Sequence, residues 1–247
     1  MRLLLCLLLA TDGAQALWPA PSAATWGMTD LTLSPNFVFT CANAVPDILT
    51  HAFTRYASLT RPRRWKNTTA SGMVGALVVS VDSADEAPPQ LGTDESYTLI
   101  IGAASSSPDG ASSSATLHAA TVYGALRGLE TFSQLVTFDP GTATYAVEKT
   151  PLRIDDAPRF PHRGFMVDTS RHWQSIAMLK RLVDSLSFAK LNTLHWHVVD
   201  DQSFPLTVRS FPNLQGMGAY SVAERYSPLD VEDIVEYARL RGVRVLL

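Results

Sequence analysis

Cysteine is almost missing from this sequence: among 247 residues there are only Cys6 and Cys41, which excludes a small disulfide-stapled scaffold. A surplus of one charge is missing too. Twenty Lys and Arg stand against twenty-three Asp and Glu, for a formal net charge of -3. No bulk field draws in nucleic acid or an anionic membrane, and neither is an expected partner. Beyond the first residues no run reaches the roughly 18 apolar residues that a membrane span needs. What is present is 46% hydrophobic and 17% charged, the balance of a globular protein. That excludes a disordered tail, a collagen or a coiled coil.

The amino terminus reads as a secretory leader. Met1-Arg2 is a short basic start, residues 3–10 are almost unbroken apolar chain, and Ala14-Gln15-Ala16 supplies the small residues of a cleavage site, so residues 1–16 are expected to be a signal peptide. Asn67-Thr68-Thr69 is an N-glycosylation sequon, consistent with that route. The expected location is the secretory pathway, lysosomal or extracellular. With Cys6 lost in the leader, Cys41 has no partner for an intrachain disulfide.

The remainder divides into two parts. Residues 37–42, 76–81 and 97–101 are short and rich in β-branched and aromatic side chains, as strands are. Apolar residues at helical spacing predict helices over 46–59 and from Val122 to Val136. The crowded Ser, Pro, Asp and Gly of residues 104–114 predict a surface loop. Residues 17–155 are thus expected to form a small α+β domain, an antiparallel sheet with helices, without catalytic candidates. A proline-bearing joint at residues 155–161 follows. From there the pattern becomes strand (164–168), helix (176–186), strand (193–199), helix (228–241) and strand (243–247). The last helix carries its own punctuation: Ser227 as cap, Pro228 in the first turn, Gly242 at the end. Alternating βα units predict a parallel sheet, doubly wound or a barrel.

In parallel βα folds the chemistry gathers at the carboxyl ends of the strands. After the first strand come Asp168, Thr169, Ser170, Arg171, His172 and Trp173; after the second come His197, Val198, Val199, Asp200 and Asp201. Arg171 and Asp200 together offer a rigid donor fork and a charged acceptor, which suits sugar hydroxyls, and the Trp and His flanks suit the apolar face of a sugar ring. A plain strand-end ion pair is the bland alternative for Arg171 and Asp200. His195 and His197 share one face of a strand, as ligands of a metal-dependent hydrolase would, or as structural histidines. Asp200 and Asp201 are adjacent, so a continuing strand would send them to opposite faces.

Two strings carry a specific resemblance: His162-Arg163-Gly164-Phe165-Met166-Val167-Asp168-Thr169-Ser170-Arg171-His172, and Leu194-His195-Trp196-His197-Val198-Val199-Asp200-Asp201-Gln202-Ser203-Phe204-Pro205. They resemble the start of the catalytic barrel of glycoside hydrolase family 20, the β-N-acetylhexosaminidases, most of all the lysosomal ones. The likeness extends through residues 234–246, back over 122–135, and to Leu17-Trp18-Pro19. It implies an incomplete (β/α)8 barrel over residues 156–247, about its first three strands and two helices. It implies hydrolysis of terminal β-linked N-acetylglucosamine or N-acetylgalactosamine on glycans, with the substrate's own acetamido oxygen as nucleophile. By the same resemblance Arg171 binds the 3- and 4-hydroxyls of the terminal sugar and Asp200 a ring hydroxyl. No metal or other cofactor is implied, which makes His195 and His197 scaffold residues.

The departures are definite. The family's acid and its Asp partner should follow a fourth strand and so are expected beyond Leu247, leaving no catalytic residue in this chain; on that expectation the 247 residues alone are inactive. A barrel takes roughly 250 residues by itself, whereas only residues 159–247 remain for it. A short glycan-binding or dimerising product without catalysis is the alternative, and the resemblance leaves room for a dimer of a full-length form.

Overall fold

The computed structural model describes residues 17–63, 72–102 and 113–247. The leader at residues 1–16, the sequon at Asn67 and residues 104–112 of the serine-rich loop lie outside the described residues, while residues 113–114, expected in that loop, instead begin a strand.

The first body is built on an eight-stranded sheet. In chain order its elements are β1 (Ala23–Thr25), β2 (Thr29–Cys41), α1 (Asp47–Thr60), β3 (Met73–Ser83), β4 (Tyr97–Ile101), β5 (Ser113–Thr121), α2 (Val122–Leu135), β6 (Val136–Asp139), β7 (Thr144–Thr150) and β8 (Leu152–Asp156). The spatial order is β1-β8-β4-β5-β3-β2-β7-β6. The central trio β2, β3 and β5 is parallel, whereas the flanking pairs are antiparallel. The expected antiparallel sheet is therefore corrected to a mixed one. Local alternation specifies a strand but not the direction of its neighbour, and here a helical crossover separates β2 from β3. The joint also moves, because Asp155 and Asp156 still pair with β4 as the last residues of β8.

Both helices lie on one face of this sheet. α1 buries Ile48, Leu49, Ala52 and Tyr56 along one stripe. α2 is buried nearly all round, with only Ser133 and Gln134 excepted, as expected of a helix with packing on every side. Glycine lets it lie so close: a Cβ on Gly128 would stand 2.3 Å from Leu117, and one on Gly124 2.4 Å from the Ser96 carbonyl. Thr121 caps the helix by accepting the Gly124 N–H.

The second body contains β9 (Gly164–Asp168), α3 (Ile176–Phe188), β10 (Thr193–His197), α4 (Pro212–Gly218), α5 (Pro228–Arg239) and β11 (Arg244–Leu246). Its three strands are parallel in the order β11-β10-β9. The short α4 adds a third helix to the two expected. Leu194, Trp196 and Val198 form a core with Leu179, Val183, Ile234 and Ala238 from α3 and α5. On the opposite face Met166, His195 and Leu246 stand in register and are exposed. α5 has the capping box that Ser227 announced: its hydroxyl accepts the Asp230 N–H while the Asp230 carboxylate accepts the Ser227 N–H. Gly242 ends the turn at φ +67°, where a side chain would be strained.

A buried polar network joins the bodies. Glu95, 5% exposed, accepts from Arg127 and Arg163 at 2.6 Å each and from Asn192 at 2.7 Å. Lys190 donates to the Tyr97 hydroxyl at 2.8 Å and to Asp156 at 3.1 Å. Burial alone would push Glu95 and Asp156 upward, but Arg127 and Arg163 for the first, and Lys190 for the second, hold both below the ordinary carboxylate range.

Candidate functional site

The carboxyl ends of β9 and β10 bring together Asp168, Arg171, His197 and Asp200. Asp168 closes β9 and turns the chain at once, for its Oδ1 accepts the N–H groups of Ser170 and Arg171 at 3.1 Å each. This Asp-headed turn throws Arg171 outward, where Nε donates to Asp168 Oδ2 at 2.5 Å. Arg171 stays 52% exposed and one of its Nη atoms lies 3.9 Å from Asp200 Oδ2. The same Asp200 oxygen accepts from His197 Nε2 at 2.9 Å. Opposite charges thus alternate along Asp168, Arg171 and Asp200, with the His197 imidazole at the end.

The loop bearing Asp200 is fixed by backbone bonds. Asp200 and Ser203 exchange N–H and carbonyl bonds at 3.0 and 3.3 Å, Ser170 Oγ donates to the Ser203 carbonyl at 2.8 Å, and Thr169 N–H donates to the His197 carbonyl at 3.0 Å. Since β10 ends at His197, the alternation expected of Asp200 and Asp201 does not extend to them. Instead Asp201 donates its backbone N–H to Asp200 Oδ1 at 2.8 Å. Contacts from Asp201 and from the His197 ring hold the Asp200 carboxyl far below its usual range. Asp168 is likewise lowered, first by the Arg171 N–H. Both therefore present full negative charge to a ligand at any mild pH.

Arg171 and Asp200 stand together at the strand ends as expected, but their separation makes them a weak pair. The close partner of Arg171 is Asp168, three residues earlier, and the ion pair with Asp200 is the longer of the two, at 3.9 Å. His195 is exposed on the open face, its ring 6.5 Å from that of His197 and nearly perpendicular. His197 instead orients Asp200. Among the described residues no group of three His, Cys, Asp or Glu could hold a metal ion. Trp173, read as a sugar platform, is engaged by stacking on Tyr226 at 5.8 Å, and Tyr226 meets Trp196 edge-on at 4.9 Å. This aromatic stack supports the Arg171 loop from below. Cys41 is a free, partly buried thiol in the first body.

A parallel βα sheet with a charged cluster on its strand ends defines an α/β protein of the kind that binds ligands at that edge, and the comparisons give the family. Residues 160–247 match the model described as glycosyl hydrolase family 20, catalytic domain, and residues 17–135 match the one described as beta-acetyl hexosaminidase like. The chain belongs to glycosyl hydrolase family 20. It is 42% identical to Beta-hexosaminidase 1 of Arabidopsis thaliana, covering 95% of this chain and 45% of that protein. It is 40% identical to Beta-hexosaminidase subunit beta of Homo sapiens, covering 94% of this chain and 42% of that one. The chain spans less than half the length of either relative. Among solved structures the Flavobacterium johnsoniae chitobiase is similar with a TM-score of 0.73 and 28% identity, over 93% of this chain and 33% of that one.

Proposed function

We propose that residues 156–247 are the opening strands of a (β/α)8 barrel and that this chain supplies the sugar-recognition part of a β-N-acetylhexosaminidase. The observation that carries the reading is the charged chain Asp168–Arg171–Asp200–His197 at adjacent strand ends, the position where such folds bind substrate. Arg171 offers a planar fork to two neighbouring hydroxyls, while Asp200 accepts from a third. The substrate class is glycans ending in β-linked N-acetylglucosamine or N-acetylgalactosamine.

In the reaction this implies, the substrate's acetamido oxygen bonds to the anomeric carbon as the glycosidic bond breaks, and a carboxylic acid gives its proton to the departing oxygen. The resemblance assigns that acid to an Asp-Glu pair beyond Leu247, so the role left to these residues is to bind and orient the sugar. The leader at residues 1–16 and the sequon at Asn67 support passage through the secretory pathway, to the lysosome or outside the cell. Dimerisation belongs to the same reading.

Calorimetric titration of the 247-residue chain with N-acetylglucosamine tests it. Binding heat is expected for the native sequence, with a loss of at least about tenfold in affinity for Arg171→Lys, which keeps the charge and removes the fork. Absence of heat with the native chain, or equal affinity in the variant, overturns the assignment.

A further inference from the structure

The joint between the two bodies holds a cavity of about 240 Å³, lined from the first body, from residues 157–160 and from the second body. We propose that this cavity is a binding site for a small organic anion, a carboxylate carried on a compact apolar body. It shares no residue with the Arg171–Asp200 cluster and does not depend on how that cluster is read.

The charges around the cavity do not balance. Four cations line it, Arg127, Arg159, Arg163 and Lys190, against two carboxylates, Glu95 and Asp156. Glu95 is already shared by Arg127, Arg163 and Asn192, and Asp156 by Lys190, Tyr97 and Ser22. The surplus falls on two groups. Lys190, with a side chain only 9% exposed, has three donors and places two of them, on the Tyr97 hydroxyl and on Asp156. The third makes no hydrogen bond among the described residues. Arg159 makes neither a hydrogen bond nor an ion pair among them, and its guanidinium lies 5.3 Å from the centre of the Phe160 ring. A buried ammonium with an unused donor favours an anion beside it. Burial also pulls Lys190 below the ordinary lysine range, in spite of Asp156, so a second negative charge there would be stabilising.

Lys190 stands where a lysine is costly. It reverses the chain after α3: its N–H donates to the Ser187 carbonyl at 3.1 Å, the Leu191 N–H to that of Leu186 at 2.8 Å, and its φ is +54°. Glycine is the usual residue at such a position. A side chain held there against the backbone preference points to a use for its ammonium, and Asp156 takes up only part of what that group offers.

The other walls define the rest of the ligand. Pro19, Ala20, Ala157, Pro158 and Phe160 have no side-chain donor or acceptor, and the Ser22 hydroxyl is engaged with Asp156. The body of the ligand is therefore apolar. A cavity of about 150 Å³ takes a benzene ring, so this one suits a single ring with its carboxylate and is too small for a disaccharide.

Calorimetric titration of the 247-residue chain at constant ionic strength tests this with sodium benzoate as the probe, beside benzyl alcohol, sodium acetate and inorganic phosphate. Benzoate is expected to bind about tenfold tighter than each of the other three. Because its site is lined from both bodies, it should also raise the melting temperature. Arg159→Gln, at an exposed position, should keep the native melting temperature and weaken benzoate at least about threefold, and Lys190→Met should weaken it about tenfold. The Arg159 variant decides if Lys190→Met does not fold. Benzyl alcohol binding as tightly as benzoate marks a purely apolar pocket, and acetate or phosphate doing so marks a bare charged patch; either overturns the proposal. So does an absence of benzoate heat, or an affinity unchanged by Arg159→Gln. N-acetylglucosamine titrated into the same sample reports on Arg171 and Asp200 separately, so either reading can fail without the other.

Discussion

The two bodies use the same materials to opposite ends. In the first, a mixed sheet and two helices close over a core in which Leu31, Leu77, Leu99, Leu117 and Leu129 are fully buried. In the second, three parallel strands are covered by helices on one face only, and Met166, His195 and Leu246 on the other remain exposed. Charge is distributed accordingly. The first body buries the Glu95–Arg127 pair, whose carboxylate also accepts from Arg163 and Asn192, whereas the second leaves Arg171 half-exposed. A buried ion pair fixes how two elements dock, whereas an exposed arginine can turn to another partner, so burial sets what each charge can do.

The sharpest test of this contrast removes one ion from each body. Glu95→Ala leaves Arg127 and Arg163 buried without their carboxylate, and should cost about 3–5 kcal/mol in a denaturant titration. Arg171→Ala should change stability by less than about 0.5 kcal/mol. Comparable losses for the two would erase the distinction.

Cavity formation gives the next largest difference. Leu129→Ala, in the buried helix α2, should destabilise by about 2–5 kcal/mol, whereas Met166→Ser on the open face should be near neutral and should raise the soluble fraction, since exposed apolar strands associate. Sedimentation and thermal melts report both.

Acid should separate the bodies before it unfolds the first. Glu95 and Asp156 are depressed in the folded state, so their contribution is complete above the unfolded carboxylate value near ~4 and is lost as pH falls through their lowered folded values. Hydrogen exchange at mild and strong acid should find the Lys190 and Asn192 amides deprotected first below that point. Protection unchanged down to the acid unfolding of the whole chain would contradict this. The smallest effect is local: Ser227→Ala breaks the capping box and should cost about 1 kcal/mol, confined to the second body.

Much of this arrangement is legible in the sequence where local chemistry decides it. The β-branched and aromatic run 97–101 and the apolar run 164–168 match β4 and β9 residue for residue, and Ser227 and Pro228 start α5 as read, although the helix ends at Arg239, before Arg241 and Gly242. Strands that depend on distant partners are not legible. β5 reads as a polar Ser, Ala and Thr run until it is seated between β3 and β4, and β2 is disguised by the irregularity between Leu33 and Val38. The proline at 151 hides the join of β7 and β8. At the site, strand-end logic finds Arg171 and Asp200. The parts of Asp168 and His197 emerge only from geometry, although the three-residue spacing of each from its partner was a usable signal. The network that docks the bodies is invisible to any local pattern, because Glu95 and Asn192 are 97 positions apart.

Arg127 has a consequence for the order of assembly. It donates from α2 to the Gly242 carbonyl at 2.6 Å, across 115 positions of chain, and so meets the carboxyl end of α5, where a positive charge is favoured. The helix that is synthesised late finds its terminal partner already standing on a domain that was synthesised early. The first body, which contributes nothing to the charged cluster, is in this sense a template on which the second is finished.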